Sequence, residues 1–257
     1  MAIFYFASLQ EINGQRDTLT VCFLDLDMPL SQKVPDNINS LQGIYIDLAK
    51  LIAGKLGMEL DPYFTMSAFH KRPVRAGLLS DNCRLQFGIP YTEGPEYITG
   101  KVTLTQPILQ LGYALAVPAS AMINNHRYLI GKKVGVQTGS PPQMALATMK
   151  NVQLVYFHSP EKALEALSLG SLDAAFIWGP VAGFQNKYLY ENRFKVFPTT
   201  YEWPVAIGVG YEDLETKDMI NQLIDELRPQ INKLKGKYAF PKGKRLGMPA
   251  IKYNFSG

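Results

Sequence analysis

A strand–helix pattern that runs through once and then begins again constrains this chain more than any other feature. Thr18 to Leu24 is rich in β-formers and is followed by an Asp-, Pro-, Ser- and Asn-bearing loop from Asp25 to Gln42. Ile44, Leu48, Leu51 and Ile52 recur at helical spacing before Gly57, a helix-stop residue. Glu59 to Phe64 reads as a strand, His70 to Leu79 as a helix and Arg84 to Ile89 as a third strand. The grammar restarts after Val117. Lys133 to Gln137, Gln153 to Phe157 and Ala174 to Trp178 read as strands; Ser140-Pro141-Pro142 and Ser159-Pro160 open the helices between them. Pro204 to Val209 is a last strand, followed by an amphipathic helix from about Asp213 to Lys233 with a break near Pro229. Such alternation predicts parallel sheets covered by helices, joined by right-handed crossovers.

Two α/β lobes follow, with Gly112 to Val117 and Pro204 to Val209 as the strands that cross between them. The expected division is residues 1–116 plus 205–257 for a discontinuous first lobe and 117–204 for the second. Ligands of open α/β sheets sit beyond the carboxyl ends of the strands. That rule gathers Leu26 to Met28, Pro90 to Pro95, Thr138 to Ser140 and Trp178 to Pro180 around one cavity.

Charge and composition exclude several classes. A chain of 257 residues that is 47% hydrophobic can bury one or two cores. Its net charge of +4 does not suggest a nucleic-acid binder. From Lys233 onward there are seven basic residues and no acidic one, which leaves a net charge of about −3 on the rest. Lys233, Lys235, Lys237, Lys242, Lys244 and Arg245 form either a solvated terminal segment or a docking strip for an acidic protein surface. No run approaches the roughly eighteen apolar residues of a membrane span. Met1 to Ser8 lacks the basic leader and the length of a signal peptide. Two cysteines without Cys-x-x-Cys spacing and three scattered histidines argue against a metal site. No catalytic constellation, Walker loop or dinucleotide fingerprint is present, so an enzyme is not expected. Asp25 and Asp27 stand two apart at a strand end, which turn bonding explains as well as acid chemistry does.

In their order and spacing, four segments carry a resemblance: Leu-Thr-Val-Cys at 19–22, Lys-Arg-Pro-Val-Arg-Ala-Gly-Leu-Leu-Ser-Asp-Asn-Cys at 71–83, Gly-Ile-Pro at 88–90 and Asp-Ala-Ala-Phe-Ile-Trp-Gly-Pro-Val-Ala-Gly-Phe at 173–184. Over nearly its whole length the chain resembles the type II periplasmic binding-protein superfamily. Within that superfamily it looks like the quinoprotein-dehydrogenase-associated solute-binding-like proteins, the J proteins (MxaJ/XoxJ type) of methanol-oxidation gene clusters. The resemblance implies an α/β, two-lobed fold and a periplasmic protein whose leader has been removed. It also implies an accessory role, by protein contact, for a PQQ-dependent methanol dehydrogenase. Cysteines at matching places imply a Cys22–Cys83 disulfide, suited to an oxidising compartment. Closing about sixty residues would stabilise the fold by about 4 kcal/mol in the chain-entropy model.

The same resemblance exposes two departures. Amino-acid binders hold the α-carboxylate with an arginine in a Thr-x-Glu-Arg type segment; here Tyr91, Thr92 and Glu93 are followed by Gly94 and Pro95. Those binders hold the α-ammonium with an aspartate at the end of an Asp-Ala strand, where this chain has Trp178. An unpaired buried charge costs several kcal/mol, so losing both partners argues against amino-acid transport. Trp178 and Trp203 would either stack on a flat aromatic ligand, PQQ among them, or fill the core. Thr138, Gly139 and Ser140 before a helix start offer backbone N–H groups to a carboxylate, or form an ordinary cap. With Asp27 and Met28 these residues make up the expected ligand site. The alternative to the accessory role is a receptor for PQQ or another aromatic carboxylate, or an ABC-importer binding protein.

Overall fold

A computed structural model describes residues 17–25, 27–34, 37–65, 71–91 and 101–250, in two compact units. The first comprises residues up to 108 together with 206–231; the second comprises 109–205 together with residues from 232.

In the first unit, β1 (Thr18–Leu24) is followed by a two-stranded hairpin, β2 (Gln32–Val34) and β3 (Asn37–Gln42), within the stretch expected to be loop. Next come α1 (Ile44–Leu56), β4 (Glu59–Thr65), the short α2 (Lys71–Ala76), a 3₁₀ turn at Leu78–Ser80, β5 (Leu85–Pro90) and β6 (Val102–Leu104). The helix expected over 70–79 is thus split, and His70 lies outside the described residues. β1 pairs in parallel with both β4 and β5, as the alternation of strands and helices predicts. α1 buries Ile44, Ile46, Leu48 and Ile52, and Gly57 ends it in the left-handed conformation. The Cys22–Cys83 disulfide forms, with a Cα–Cα distance of 5.7 Å. Cys22 is on β1, whereas Cys83 precedes β5 rather than lying on it. Around the bond pack Val74, Leu78, Ile89 and Val102.

The second unit is built on β7 (Leu109–Pro118), β8 (Lys133–Gln137), β9 (Gln153–Phe157) and β10 (Ala174–Trp178), with α3 (Pro141–Ala147) and α4 (Pro160–Ser168) between them. β8 pairs in parallel with β9 and β10. β10 and the long strand β11 (Phe194–Gly210) flank β7, both antiparallel to it. Ser140 and Ser159 cap α3 and α4 as expected. α5 (Gly179–Tyr188) was not expected. Beyond β11 run α6 (Leu214–Glu226), which belongs to the first unit, and α7 (Arg228–Lys237), separated near Pro229 as the sequence indicated.

The division of the chain differs from the expected one over residues 109–116, which belong to the second unit, and at the C-terminus. Residues from 232 pack with the second unit, not the first. Main-chain bonding is the reason: Leu246 N–H donates to Pro198 O at 2.8 Å, and Thr200 N–H donates to Leu246 O at 3.2 Å. Leu246 then buries itself with Leu115, Leu129 and Phe176.

Candidate functional site

The second unit contains a cluster of aromatic rings whose assembly follows from strand register. Side chains of directly paired residues lie on the same face of a sheet, as do residues two apart in one strand. Trp178 pairs with Tyr113, and Trp203 pairs with Leu111, two residues before Tyr113. Trp178, Tyr113 and Trp203 therefore share one face. Trp178 and Trp203 stack at 5.5 Å between centroids with 30° between their planes. Tyr113 meets Trp178 edge-on at 5.5 Å and Trp203 at 6.1 Å. Phe176 extends the cluster, 6.4 Å from Tyr113 and 5.9 Å from Tyr201. Burial raises the pKa of the Tyr113 hydroxyl.

Both tryptophans are half-buried, and they touch each other. No ligand ring fits between them, so a flat ligand would lie on an outer face. Beneath them the backbones come close. A Cβ at Gly112 would stand 2.6 Å from Glu202 Cα, and one at Gly179 would stand 2.6 Å from Gly112 O. Glycine at these two positions lets β7 pass a bulge in β11 between Pro198 and Glu202.

The other expected ligand residues divide between the units. Thr138, Gly139 and Ser140 follow β8 in the second unit, with their N–H groups already engaged. Thr138 donates to Phe157 O (2.9 Å), Ser140 to Gln137 O (3.2 Å) and Gly139 to Gln143 Oε1 (2.6 Å). With those donors taken, an ordinary cap describes this turn. Asp27, Met28 and Tyr91 are in the first unit, and Thr92 and Glu93 lie outside the described residues.

Around Asp27 the chain forms a tight turn. Its carbonyl accepts from Leu30 N (2.6 Å) and Ser31 N (3.0 Å), while Ser31 Oγ donates to Leu24 O (2.6 Å). Burial pushes the Asp27 carboxyl up to about 7. The buried Tyr45 hydroxyl has no hydrogen-bond partner among the described residues. Its pKa is raised by burial and then by the Asp27 charge. Among the described residues no group of three His, Cys, Asp or Glu side chains could hold a metal ion.

Of the basic C-terminal residues, Arg245 makes an ion pair with Glu202. Lys233, Lys242 and Lys244 are exposed; Lys235 is half-buried, and Lys237 lies 5.1 Å from the Tyr238 ring centroid. Sequence reasoning missed Tyr113. Its signal, an aromatic residue within the apolar run 111–117, acquires meaning only once Trp178 and Trp203 are placed in register beside it.

No protein-family model and no curated protein matches the sequence. Solved structures do match. An ancestral cationic amino acid solute-binding protein (AncCDT-1) superposes with a TM-score of 0.72 at 21% identity, covering 93% of this chain and 100% of its own. A polar amino acid ABC uptake transporter substrate-binding protein from Streptococcus thermophilus gives 0.71 at 20% identity, covering 86% of each chain. The fold is that of a two-lobed periplasmic solute-binding protein. MxaJ from Methlophaga aminisulfidivorans MPT is also similar, with a TM-score of 0.67 at 21% identity over 87% of this chain and 99% of that one. Among the described residues no helix is long and apolar enough to cross a membrane.

Proposed function

We propose that this protein is a periplasmic accessory component of a PQQ-dependent methanol dehydrogenase system, acting through protein contact on a solute-binding scaffold. The observation that carries this reading is Trp178. It ends β10, where the amino-acid binders that the chain resembles carry an aspartate, and its ring is packed on Trp203 and Tyr113. Aromatic rings in mutual contact offer an α-ammonium no carboxylate, so amino-acid import, which the names of several similar structures carry, is disfavoured here. A solved MxaJ among the similar structures supports the accessory role. The exposed basic residues Lys233, Lys242, Lys244 and Arg245, with Lys235 and Lys237, supply a surface suited to an acidic partner.

Sedimentation velocity with purified methanol dehydrogenase, apo and holo, tests the reading. A complex that weakens between low and high salt is expected, and preference for the apo enzyme would point to maturation. Absence of a complex under all four conditions would overturn it. A second reading, a receptor for PQQ or another aromatic carboxylate, is favoured by the half-buried faces of Trp178 and Trp203. It requires that such a ligand raise the melting temperature and that Trp178→Ala abolish the rise.

A further inference from the structure

A cavity of about 870 Å³ opens in the second unit, lined in part by Gln110, Gly112 and Ala114 of β7. These residues alternate along β7 with Leu111 and Tyr113, which also line the cavity, so it borders the strand segment that carries the Tyr113 ring. Val196, Pro198, Phe240 and Pro241 contribute apolar walls. Four cations also line the cavity: Lys187, Lys235, Lys242 and Arg245. Glu202 is the single acid among the lining residues, and Arg245 is paired with it, so the lining carries a net charge of +3.

The walls are fixed by bonds that do not involve a ligand. Lys187 Nζ donates to the carbonyls of Gly236 (3.3 Å) and Lys237 (3.4 Å), and Tyr188 Oη donates to Lys237 O at 2.6 Å. Gly183 is packed so tightly that a Cβ there would run into the Ala239 carbonyl. The side chains of Lys235 and Lys242 differ from those of the other two cations in having no hydrogen-bond or ion-pair partner among the described residues.

The volume falls within the range of small-molecule sites, roughly 300–1,000 Å³. Surplus positive charge in a concavity concentrates anions and strengthens its hold on them. Several separated cations favour an anion with several charged groups, and the apolar walls favour a hydrocarbon body between them. We infer that this cavity binds a small organic polycarboxylate, two or three carboxylates on a flat or apolar body, with Lys235 and Lys242 as its principal charge partners. Of the residues expected from the sequence to surround a ligand, only Pro180 lines it, and the inference does not rest on the methanol dehydrogenase reading.

Isothermal titration calorimetry on the full chain tests the inference, with benzene-1,3,5-tricarboxylate as probe and benzoate and sulfate as controls. The expected result is one tricarboxylate per chain, with benzoate and sulfate weaker by about tenfold or more. The double variant Lys235→Ala/Lys242→Ala should weaken tricarboxylate binding by at least about tenfold while keeping the parent melting temperature, because neither side chain supports the fold. Trp178→Ala should bind as the parent does. No binding, equal binding of sulfate, several anions per chain or an unaffected lysine variant would each overturn the inference. Loss of binding in Trp178→Ala alone would move the ligand to the rings and overturn it as well.

Discussion

The two units are held together by different means. The first joins β1 to the segment before β5 through a covalent bond and also holds a half-buried acid, Asp27. The second contains neither cysteine and does without a cross-link: strand register, ring contacts and glycines that let backbones touch, which the first unit also has at Phe23, Phe87 and Gly43, hold it. A cross-link stabilises by restricting the unfolded chain, whereas register and close packing act in the folded state. The first device tolerates irregular loops around it, and the second does not.

The sharpest way to break the contrast is to remove the cross-link. Cys22→Ala/Cys83→Ala should cost about 4 kcal/mol, given a sequence separation of 61, with denaturant melts as the readout. The loss should be confined to the first unit, so the near-UV signal of Trp178 and Trp203 should melt after it.

Asp27 gives the next largest effect. Its folded-state pKa of about 7 lies above its unfolded value, so between roughly pH 4 and 7 the folded protein binds the extra proton. Its penalty is absent below that window, grows as pH rises through it and levels off above about 7. Stability should therefore fall by about 3 kcal/mol from pH 4 to pH 8 from this group. Asp27→Asn should flatten that slope in melts taken across the window; an unchanged slope would show that the acid is not buried in solution.

Within the second unit, Gly112→Ala sets a side chain against the bulge of β11 and should cost about 2–3 kcal/mol. Trp178→Ala opens the ring cluster and should cost about 2 kcal/mol, since the ring is half-buried. Trp178→Phe should recover part of that loss. Near-UV circular dichroism should report both substitutions through Trp203.

Alternation of apolar runs and stop residues made most strands legible in the sequence, because each obeys its own local pattern, but not β2, β3, β6 or the first half of β11. α5 escaped because Gly179, Pro180 and Gly183 read as breakers. Its buried residues, among them Val181 and Ala182, also leave too little polar contrast to mark a helix. The allegiance of the C-terminal segment escaped because it is decided by main-chain bonds from Leu246 to Pro198 and Thr200, which no side-chain pattern announces. Trp178 and Trp203 were legible as ligand-sized surfaces, but their contact with each other was not. It depends on pairing across β7, and Tyr113 is the residue that completes it. The run of lysines was legible as charge; that two of them border a walled cavity required the fold.

Each unit is completed by chain that lies far along the sequence, residues 206–231 for the first and residues from 232 for the second. On a ribosome, which makes the chain from its N-terminus, β1, β4 and β5 must wait through about a hundred further residues for the segment that joins their unit. Later residues carry Leu246, which packs in one cluster with Leu115 and Phe176. The order of synthesis thus delays closure of both units until almost everything needed by either has emerged. The nascent chain remains open to chaperones for longer than one carrying two consecutive domains of the same size would.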